Sequence, residues 1–195
     1  QINLRKEDTN MNVYDFDNTI YKGDSTADFI IWCVKRKPQL AFKLLSCGAS
    51  YISYITKNNS KTNFKEKMYS FLQWIDDIDG EVNEFWKEHI KNIKTWYKNQ
   101  QRDDDVIISA SPEFLLRPLC NRIGINHLIA SVVDKKTGFY SGINCFGAEK
   151  VRRLRNEYGG SNIESFYSDS KSDEPLAELA DNAYLVNGDE ITEWE

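Results

Sequence analysis

Acidic residues at the ends of predicted strands are the first candidates for chemistry in this sequence. Asp15 and Asp17 close the β-prone run 12–17, just before residues that favour a turn. On a regular strand their carboxylates would share a face and repel each other, and a divalent cation would relieve that repulsion. Asp169 follows a later predicted strand and supplies another hard oxygen ligand of the kind that Mg²⁺ prefers. These carboxylates therefore predict a magnesium site, with Asp173 as a further acid close by.

A hydroxyl and a lysine add the features of a phosphate site. Ser109 follows the apolar run 106–108, and the next helix is predicted to begin with Ser111 as its N-cap and Pro112 at its first position. The amino end of a helix favours an anion, because its N–H groups are unpaired and its dipole is positive there. Capping explains Ser111, so Ser109 is the serine that we assign to phosphate. Lys150, at the start of a later predicted helix, adds positive charge.

The order of predicted strands and helices places these residues at one edge of a sheet. Short β-branched runs alternate with helical patterns after residue 104, which predicts a mostly parallel, Rossmann-like α/β sheet. In such open sheets, ligands bind beyond the carboxyl ends of the strands. The predicted strands are 12–17, 106–108, 128–133, 142–145, 165–167 and 184–186, and the helices predicted after the second strand are 112–123, 148–158 and 174–180.

Residues 22–103 differ from the rest of the chain in pattern and in charge. Capping-box patterns at 25–28 and 63–66 precede apolar runs, and an aromatic-rich face with helical spacing extends over 82–97. The segment holds 14 basic and 10 acidic residues, whereas the rest of the chain holds 11 and 20. We therefore predict an acidic α/β catalytic core formed by 11–21 and 104–195, a basic helical cap formed by 22–103, and an extension outside the fold at 1–10.

Composition excludes some classes of function and leaves others open. The 195 residues carry a net charge of −5, which disfavours a general nucleic-acid binder. The four cysteines form no Cys-x-x-Cys pair and no run of about 18 apolar residues occurs, so we expect a cytoplasmic protein without a transmembrane segment. Residues 35–67 hold eight basic residues against one acid, which indicates either ordinary cap helices with solvated lysines or a surface for anionic lipid. The sequence indicates no oligomeric state.

Four short motifs follow one another along the chain: Asp15-Phe16-Asp17-Asn18-Thr19, Ile108-Ser109-Ala110-Ser111, Gly147-Ala148-Glu149-Lys150 and Tyr167-Ser168-Asp169-Ser170-Lys171-Ser172-Asp173. In this order they resemble the motifs of the haloacid dehalogenase superfamily of phosphatases. The resemblance is closest to the phosphoserine-phosphatase-like branch, in which a helical cap is inserted between the first and second motifs. It spans residues 11–188 and implies a Mg²⁺-dependent phosphomonoester hydrolase that acts on a small phosphorylated metabolite through an aspartyl-phosphate intermediate.

The resemblance also implies a role for each site residue. Asp15 would be the nucleophile, and Asp17 would be the general acid that protonates the leaving oxygen and later deprotonates water. Ser109, Ala110 and Lys150 would bind the phosphoryl group as its charge redistributes. The implied Mg²⁺ ligands are the carboxylate of Asp15, the backbone carbonyl of Asp17, and Asp169, with Asp173 supporting them through water or a second shell of contacts.

The sequence departs from the family pattern at two places. Ser170 stands where many relatives have glycine, which affects the expected geometry of the loop more than its chemistry. Phosphoserine-specific relatives use an acidic residue shortly after the first motif together with a cap arginine. Asp24 matches the acidic residue and is expected to bind substrate, but the cap has no arginine between Arg36 and Arg102. Phosphoserine is therefore not the expected substrate.

Two other functions are compatible with some of these residues. A receiver-like signalling module that accepts a phosphoryl group also combines an aspartate after a strand with acidic metal ligands, a hydroxyl and a lysine. Such a switch needs a long-lived acyl phosphate, which an acid and base at Asp17 would not favour. A non-catalytic phosphate-binding relative would be expected to lack a motif residue, and none is missing here.

Overall fold

The computed structural model describes residues 10–42 and 69–195, which fold around one six-stranded sheet. The strand order is β3-β2-β1-β4-β5-β6, with every neighbouring pair parallel except the antiparallel pair β5 and β6. This confirms the predicted mostly parallel α/β sheet. The strands are β1 (Met11–Tyr14), β2 (Val106–Pro112), β3 (His127–Ser131), β4 (Ile163–Ser168), β5 (Ala180–Asn187) and β6 (Glu190–Glu193).

Helices pack against this sheet and also occur in the described parts of the segment between β1 and β2, residues 15–42 and 69–105. None of those in the described part of the chain is long and apolar enough to cross a membrane. The α-helices with both ends in the described residues are α1 (Ser25–Arg36), α2 (Ile78–His89), α3 (Thr95–Gln100), α4 (Glu113–Ile123), α5 (Ala148–Tyr158) and α6 (Glu174–Ala177). Residues 39–42 are also helical, and short 3₁₀ turns occupy Ser70–Trp74, Ile90–Asn92 and Lys171–Asp173.

The central strands are apolar because the sheet is covered on both faces. All four residues of β1 are buried, and successive side chains alternate between two hydrophobic clusters. Val13 and Ile108 belong to one cluster, whereas Tyr14 and Ile107 belong to the other. The second cluster also contains the buried aromatic side chains of the inserted helices, so these helices share a core with the sheet.

Stacked tyrosines connect the inserted helix α3 to the sheet. Tyr14, Tyr167 and Tyr184 occupy paired positions on β1, β4 and β5, and their ring centroids are 4.9 and 4.8 Å apart. Tyr97 of α3 packs edge-on against Tyr14 at 4.9 Å. Aromatic pairs in these geometries add stabilisation beyond the area they bury. The stack therefore fixes α3 against the strands that Asp15 and Asp169 directly follow.

The two predicted helix caps are each displaced by one residue. Helix α1 is capped by Asp24, whose carboxylate accepts a hydrogen bond from the Ala27 N–H, and Ser25 is its first residue. Helix α4 is preceded by Pro112, which provides no side-chain cap, and Ser111 still belongs to β2. The assignment of Ser111 as an N-cap was wrong, which leaves its hydroxyl free for another partner. The capping-box pattern at 63–66 lies outside the described residues, as does most of 35–67.

Other predicted boundaries differ from those observed. No strand forms at 142–145, where bends lead into α5. The apolar face over 82–97 is divided, because α2 ends at His89 and α3 begins at Thr95. Strand β6 was not predicted, since its four residues are mostly polar and exposed. Strand β1 ends at Tyr14, so Asp15 and Asp17 follow the strand rather than forming its last residues.

Candidate active site

A buried lysine joins two of the predicted site aspartates. Lys150 Nζ lies 2.7 Å from Asp15 Oδ1 and 2.6 Å from Asp173 Oδ2, and only 3% of the lysine side chain is exposed. Asp15 follows β1 and stays in register with β4, because its N–H donates to the Tyr167 carbonyl. Lys150 lies in the first turn of α5. The sheet and α5 therefore hold a carboxylate, an ammonium and a second carboxylate in one buried row.

The electrostatics of this row favour a charged lysine. Burial disfavours the ammonium form, but the adjacent Asp15 and Asp173 outweigh it and raise the pKa of Lys150 above its ordinary value. Burial raises the pKa of Asp15, although Lys150 opposes that shift. Breaking such a pair by removing one partner leaves an uncompensated buried charge. Lys150 therefore lowers the cost of ionising Asp15 in the folded protein.

Asp17 is held from two sides. Its Oδ1 accepts a hydrogen bond of 2.6 Å from the Ser25 N–H at the start of α1, and its Oδ2 accepts one of 2.5 Å from the Ser111 hydroxyl. Burial, and then repulsion from Asp24, raise the pKa of Asp17 to about 7. A carboxyl group with that pKa exchanges protons readily near neutral pH, which is the property required of a general acid and base.

Ser109 is placed with its hydroxyl hydrogen available. It is 1% exposed and lies within β2 where the regular pairing with β3 is interrupted, and its Oγ accepts a hydrogen bond of 3.0 Å from the Ser111 N–H. Because the oxygen accepts from the backbone, its own O–H remains able to donate to a phosphoryl oxygen. Ala110 lines the same cavity as Ser109 and Lys150. The residues expected to bind phosphate are therefore brought together.

Thr19 connects Asp15 to Asp169 across the carboxyl edge of the sheet. Its hydroxyl donates to Asp15 Oδ2 at 3.3 Å and accepts from the Asp169 N–H at 3.0 Å. Burial, followed by repulsion from Asp15 and Asp173, raises the pKa of Asp169 to about 6. Thr19 belongs to the first motif, but its residue type and position predicted no role. Only its four-residue separation from Asp15 indicated a contact.

The carboxylates fit a magnesium ion by their chemistry. Asp15 and Asp173 contact the ammonium of Lys150, Asp169 lines the same cavity, and Oδ1 of Asp173 is buried without a hydrogen-bond partner. Within 10–42 and 69–195, no three His, Cys, Asp or Glu side chains form a ready metal cluster. Magnesium does not require one, because it keeps several waters and is commonly bound through one or two carboxylates. The excess of negative charge and the oxygen ligands therefore suit Mg²⁺.

A cavity of about 210 Å³ brings the predicted residues together with several that were not predicted. Asp24 lies at this cavity and also caps α1, so it faces the site as the sequence analysis expected. Thr26 and Tyr69, from the insertion between β1 and β2, line it as well, as does Phe146 from the loop before α5. Nothing in the spacing of these last three residues indicated that position.

Lys94 is a second buried cation near the site that sequence reasoning missed. Its ammonium donates to the backbone carbonyls of Asn18 and Gly188, and 7% of the residue is exposed. Asn18 adopts a φ of 56°, in the left-handed region that residues other than glycine rarely occupy. Lys94 therefore joins the loop after Asp15 to the turn between β5 and β6.

The family of the chain follows from a match over most of its length. Residues 13–178 match the haloacid dehalogenase-like hydrolase family. The chain therefore belongs to the haloacid dehalogenase-like hydrolases, which confirms the class of enzyme that the motifs indicated.

Individual relatives cover different shares of the chain. A histidinol-phosphatase from Neisseria meningitidis is 32% identical over 105 residues, which are 48% of this chain and 47% of that protein. The chain thus aligns with about half the length of this curated relative. A protein of unknown function from Bordetella pertussis Tohama I shares the fold with a TM-score of 0.74 and 21% identity, over 90% of this chain and 89% of that one.

A second solved structure has a similar fold. A phosphoserine phosphohydrolase-like protein from Francisella tularensis has a TM-score of 0.52 and 18% identity, over 90% of this chain and 85% of that one. At this identity the likeness concerns the fold alone. It agrees with a fold like that of the phosphoserine-phosphatase branch.

Proposed function

We propose that this protein is a Mg²⁺-dependent phosphomonoester hydrolase that acts on a small phosphorylated metabolite. The observation that carries the proposal is the row formed by Asp15, Lys150 and Asp173, which lies at the carboxyl edge of the sheet in one cavity with Asp17 and Ser109. A buried, charge-compensated carboxylate beside a general acid and phosphate-binding donors suits attack on phosphorus.

In the first half of the reaction, Asp15 is the nucleophile. One of its carboxylate oxygens forms a bond to phosphorus while the bond from phosphorus to the leaving oxygen breaks. Asp17 gives its proton to that oxygen, so the leaving group departs as a neutral alcohol. The products of this step are an aspartyl-phosphate at Asp15 and an ionised Asp17.

In the second half, the ionised Asp17 takes a proton from water. The oxygen of that water attacks the phosphorus of the aspartyl-phosphate, which releases inorganic phosphate and restores the carboxylate of Asp15. The protonated Asp17 is then ready for another substrate. A pKa of about 7 for Asp17 suits both directions of transfer.

Ser109 and Lys150 hold the phosphoryl oxygens during both steps. The hydroxyl of Ser109 and the ammonium of Lys150 line the cavity beside Asp15. Fixed donors of this kind stabilise the charge that shifts between attacking and leaving oxygens. Mg²⁺, held by Asp15, the Asp17 carbonyl and Asp169 with support from Asp173, would neutralise phosphoryl charge and orient the group.

The described parts of segment 22–103, residues 22–42 and 69–103, contribute side chains to this site, and the segment is the cap of the proposed enzyme. Thr26 and Tyr69 of that segment line the cavity, which supports a cap that limits the size of the substrate. Its excess of basic residues offsets repulsion between an anionic substrate and the acidic remainder of the chain. The histidinol-phosphatase relative supports testing phosphorylated amino alcohols first among small metabolites.

Release of inorganic phosphate from p-nitrophenyl phosphate tests the proposal. We expect hydrolysis with Mg²⁺ and at least about a hundredfold loss in Asp15→Asn, because the nucleophile is removed. Asp181→Asn is the matched control, since Asp181 is exposed near the amino end of β5 and accepts a hydrogen bond from Asn162. Hydrolysis by Asp15→Asn at the rate of the unmodified protein would overturn the proposal.

A further inference from the structure

We propose that Ser111 is a positioning residue for Asp17, and that Thr26 of α1 positions Ser111. The inference rests on the proposed function, since it concerns the general acid of that reaction. It assigns a role to a serine that sequence reasoning attributed to helix capping. It also connects the cap segment directly to proton transfer.

The three side chains form one hydrogen-bonded chain. The Ser111 hydroxyl donates to Asp17 Oδ2 at 2.5 Å, and Ser111 Oγ lies 3.1 Å from Thr26 Oγ1. Because the Ser111 hydrogen is directed to Asp17, Thr26 is the donor in the second contact. Ser111 is 5% exposed and Thr26 is 7% exposed, so solvent competes little for either hydroxyl.

These hydrogen bonds orient the carboxyl group of Asp17, and the backbone contact that holds Ser109 is separate from them. The Ser25 N–H holds Oδ1 of Asp17 and Ser111 holds Oδ2, so the two donors fix the plane of the carboxyl group. The backbone N–H of Ser111 separately holds the Ser109 hydroxyl. Removal of the Ser111 side chain therefore breaks the contact with Asp17 and preserves the backbone contact with Ser109.

The hydroxyl of Ser111 also affects the transfer of the proton that Asp17 gives away. The carboxyl group can protonate the leaving oxygen only while it is directed at that oxygen. The Ser25 N–H and the Ser111 hydroxyl hold its two oxygens, so without Ser111 the group can turn away from the leaving oxygen. The loss is greatest for leaving groups that are strong bases, because they depend most on protonation.

A pair of aryl phosphates measures this effect directly. Phenolate is a stronger base than p-nitrophenolate and depends more on protonation, while the two substrates are similar in size and shape. We expect Ser111→Ala to lower kcat/KM about tenfold for phenyl phosphate and less than about threefold for p-nitrophenyl phosphate. Ser111→Thr keeps the hydroxyl and should recover most of the loss. An equal loss for both substrates would overturn the inference.

Thr26→Val provides a second variant that leaves β2 intact. It removes the donor to Ser111 while keeping the shape of the side chain, and should lower kcat/KM for phenyl phosphate about threefold. Combined with Ser111→Ala it should add no further loss, because both changes break one chain. Additive losses, or a Thr26→Val loss equal for both substrates, would count against a role through Ser111.

Two controls separate failure of this inference from failure of the proposed function. Asp17→Asn should lose far more activity with phenyl phosphate than with p-nitrophenyl phosphate, and equal losses would reject Asp17 as general acid. If Asp17→Asn shows the preference and Ser111→Ala does not, only the role of Ser111 is rejected. Ser161→Ala, which removes a hydroxyl that donates to the Tyr158 carbonyl after α5, should leave both rates unchanged.

Discussion

The ammonium nitrogen of Lys150 lies 2.7 Å from a carboxylate oxygen of Asp15, although 135 residues separate the two along the chain. This contact affects the stability of the fold, because two buried charges are destabilising unless they are paired with each other and hydrogen-bonded. Asp173 supplies the other partner of the lysine and also accepts from the Ser168 hydroxyl. The site is therefore part of what holds the fold together.

Lys150→Met should destabilise the protein as well as inactivate it. The change leaves Asp15 and Asp173 buried without their cation, which should lower the free energy of unfolding by about 3 to 5 kcal/mol. Urea unfolding checks this value. Lys135→Met is the matched control, because Lys135 pairs with Asp79 at 2.7 Å on the surface. It should lower the free energy of unfolding by less than about 1 kcal/mol. Equal costs for the two variants would contradict the account.

Asp105 should make the folded protein less stable as the pH rises, which is the opposite of the usual effect of an aspartate. Burial raises its pKa from 3.8 to about 6, although an N–H from Arg102 partly opposes the shift. For an acid with a raised folded-state pKa, the stabilising contribution is complete below the unfolded value and is lost as the pH rises through the folded value.

Asp105→Asn should therefore be more stable than the unmodified protein above about pH 7, by about 1 to 2 kcal/mol. Asparagine keeps an acceptor for the Arg102 N–H and carries no charge to bury. The advantage should shrink as the pH falls from about 6 to about 4, as measured by urea unfolding at each pH. A variant that is less stable by the same amount at every pH would contradict this prediction.

Magnesium should stabilise the folded protein through Asp169. A ligand at about a hundred times its dissociation constant adds about 2.7 kcal/mol, which raises Tm by several degrees in a chain of this size. We expect Mg²⁺ to raise Tm of the unmodified protein, EDTA to reverse the rise, and Asp169→Asn to show little change. Sodium chloride of matched ionic strength controls for charge screening. An equal rise in Asp169→Asn would remove Asp169 from the ligand set.

The sequence predicted those features that depend on residue type and order. The apolar, β-branched run that begins at Val106 predicted a buried parallel strand. Because the carboxyl ends of parallel strands lie at one edge of the sheet, Ser109 was expected near Asp15. Lys150 was found because its motif follows the second one in the expected order. Each of these signals lies in a short stretch of sequence. The contacts between the stretches depend on the fold.

Contacts between distant side chains were beyond the reach of such reasoning. Ser111 and Thr26 are 85 residues apart, and their contact depends on how α1 meets β2. Lys94 lies in no motif, and its two carbonyl partners are backbone atoms of any residue type. The N-cap of α4 is also one residue later than predicted, at Pro112 instead of Ser111. Ser111 therefore does not cap the helix, and its hydroxyl contacts Asp17 instead.

Covalent labelling of the enzyme tests the central claim most directly. Rapid acid quenching during turnover of a radiolabelled aryl phosphate should leave label on the peptide that contains Asp15, and hydroxylamine should remove it because an acyl phosphate is cleaved by that nucleophile. Asp15→Asn should carry no label, whereas the exposed control Asp181→Asn should carry as much as the unmodified protein. Phosphate release with no labelled intermediate, or with label on another residue, would contradict Asp15 as the nucleophile.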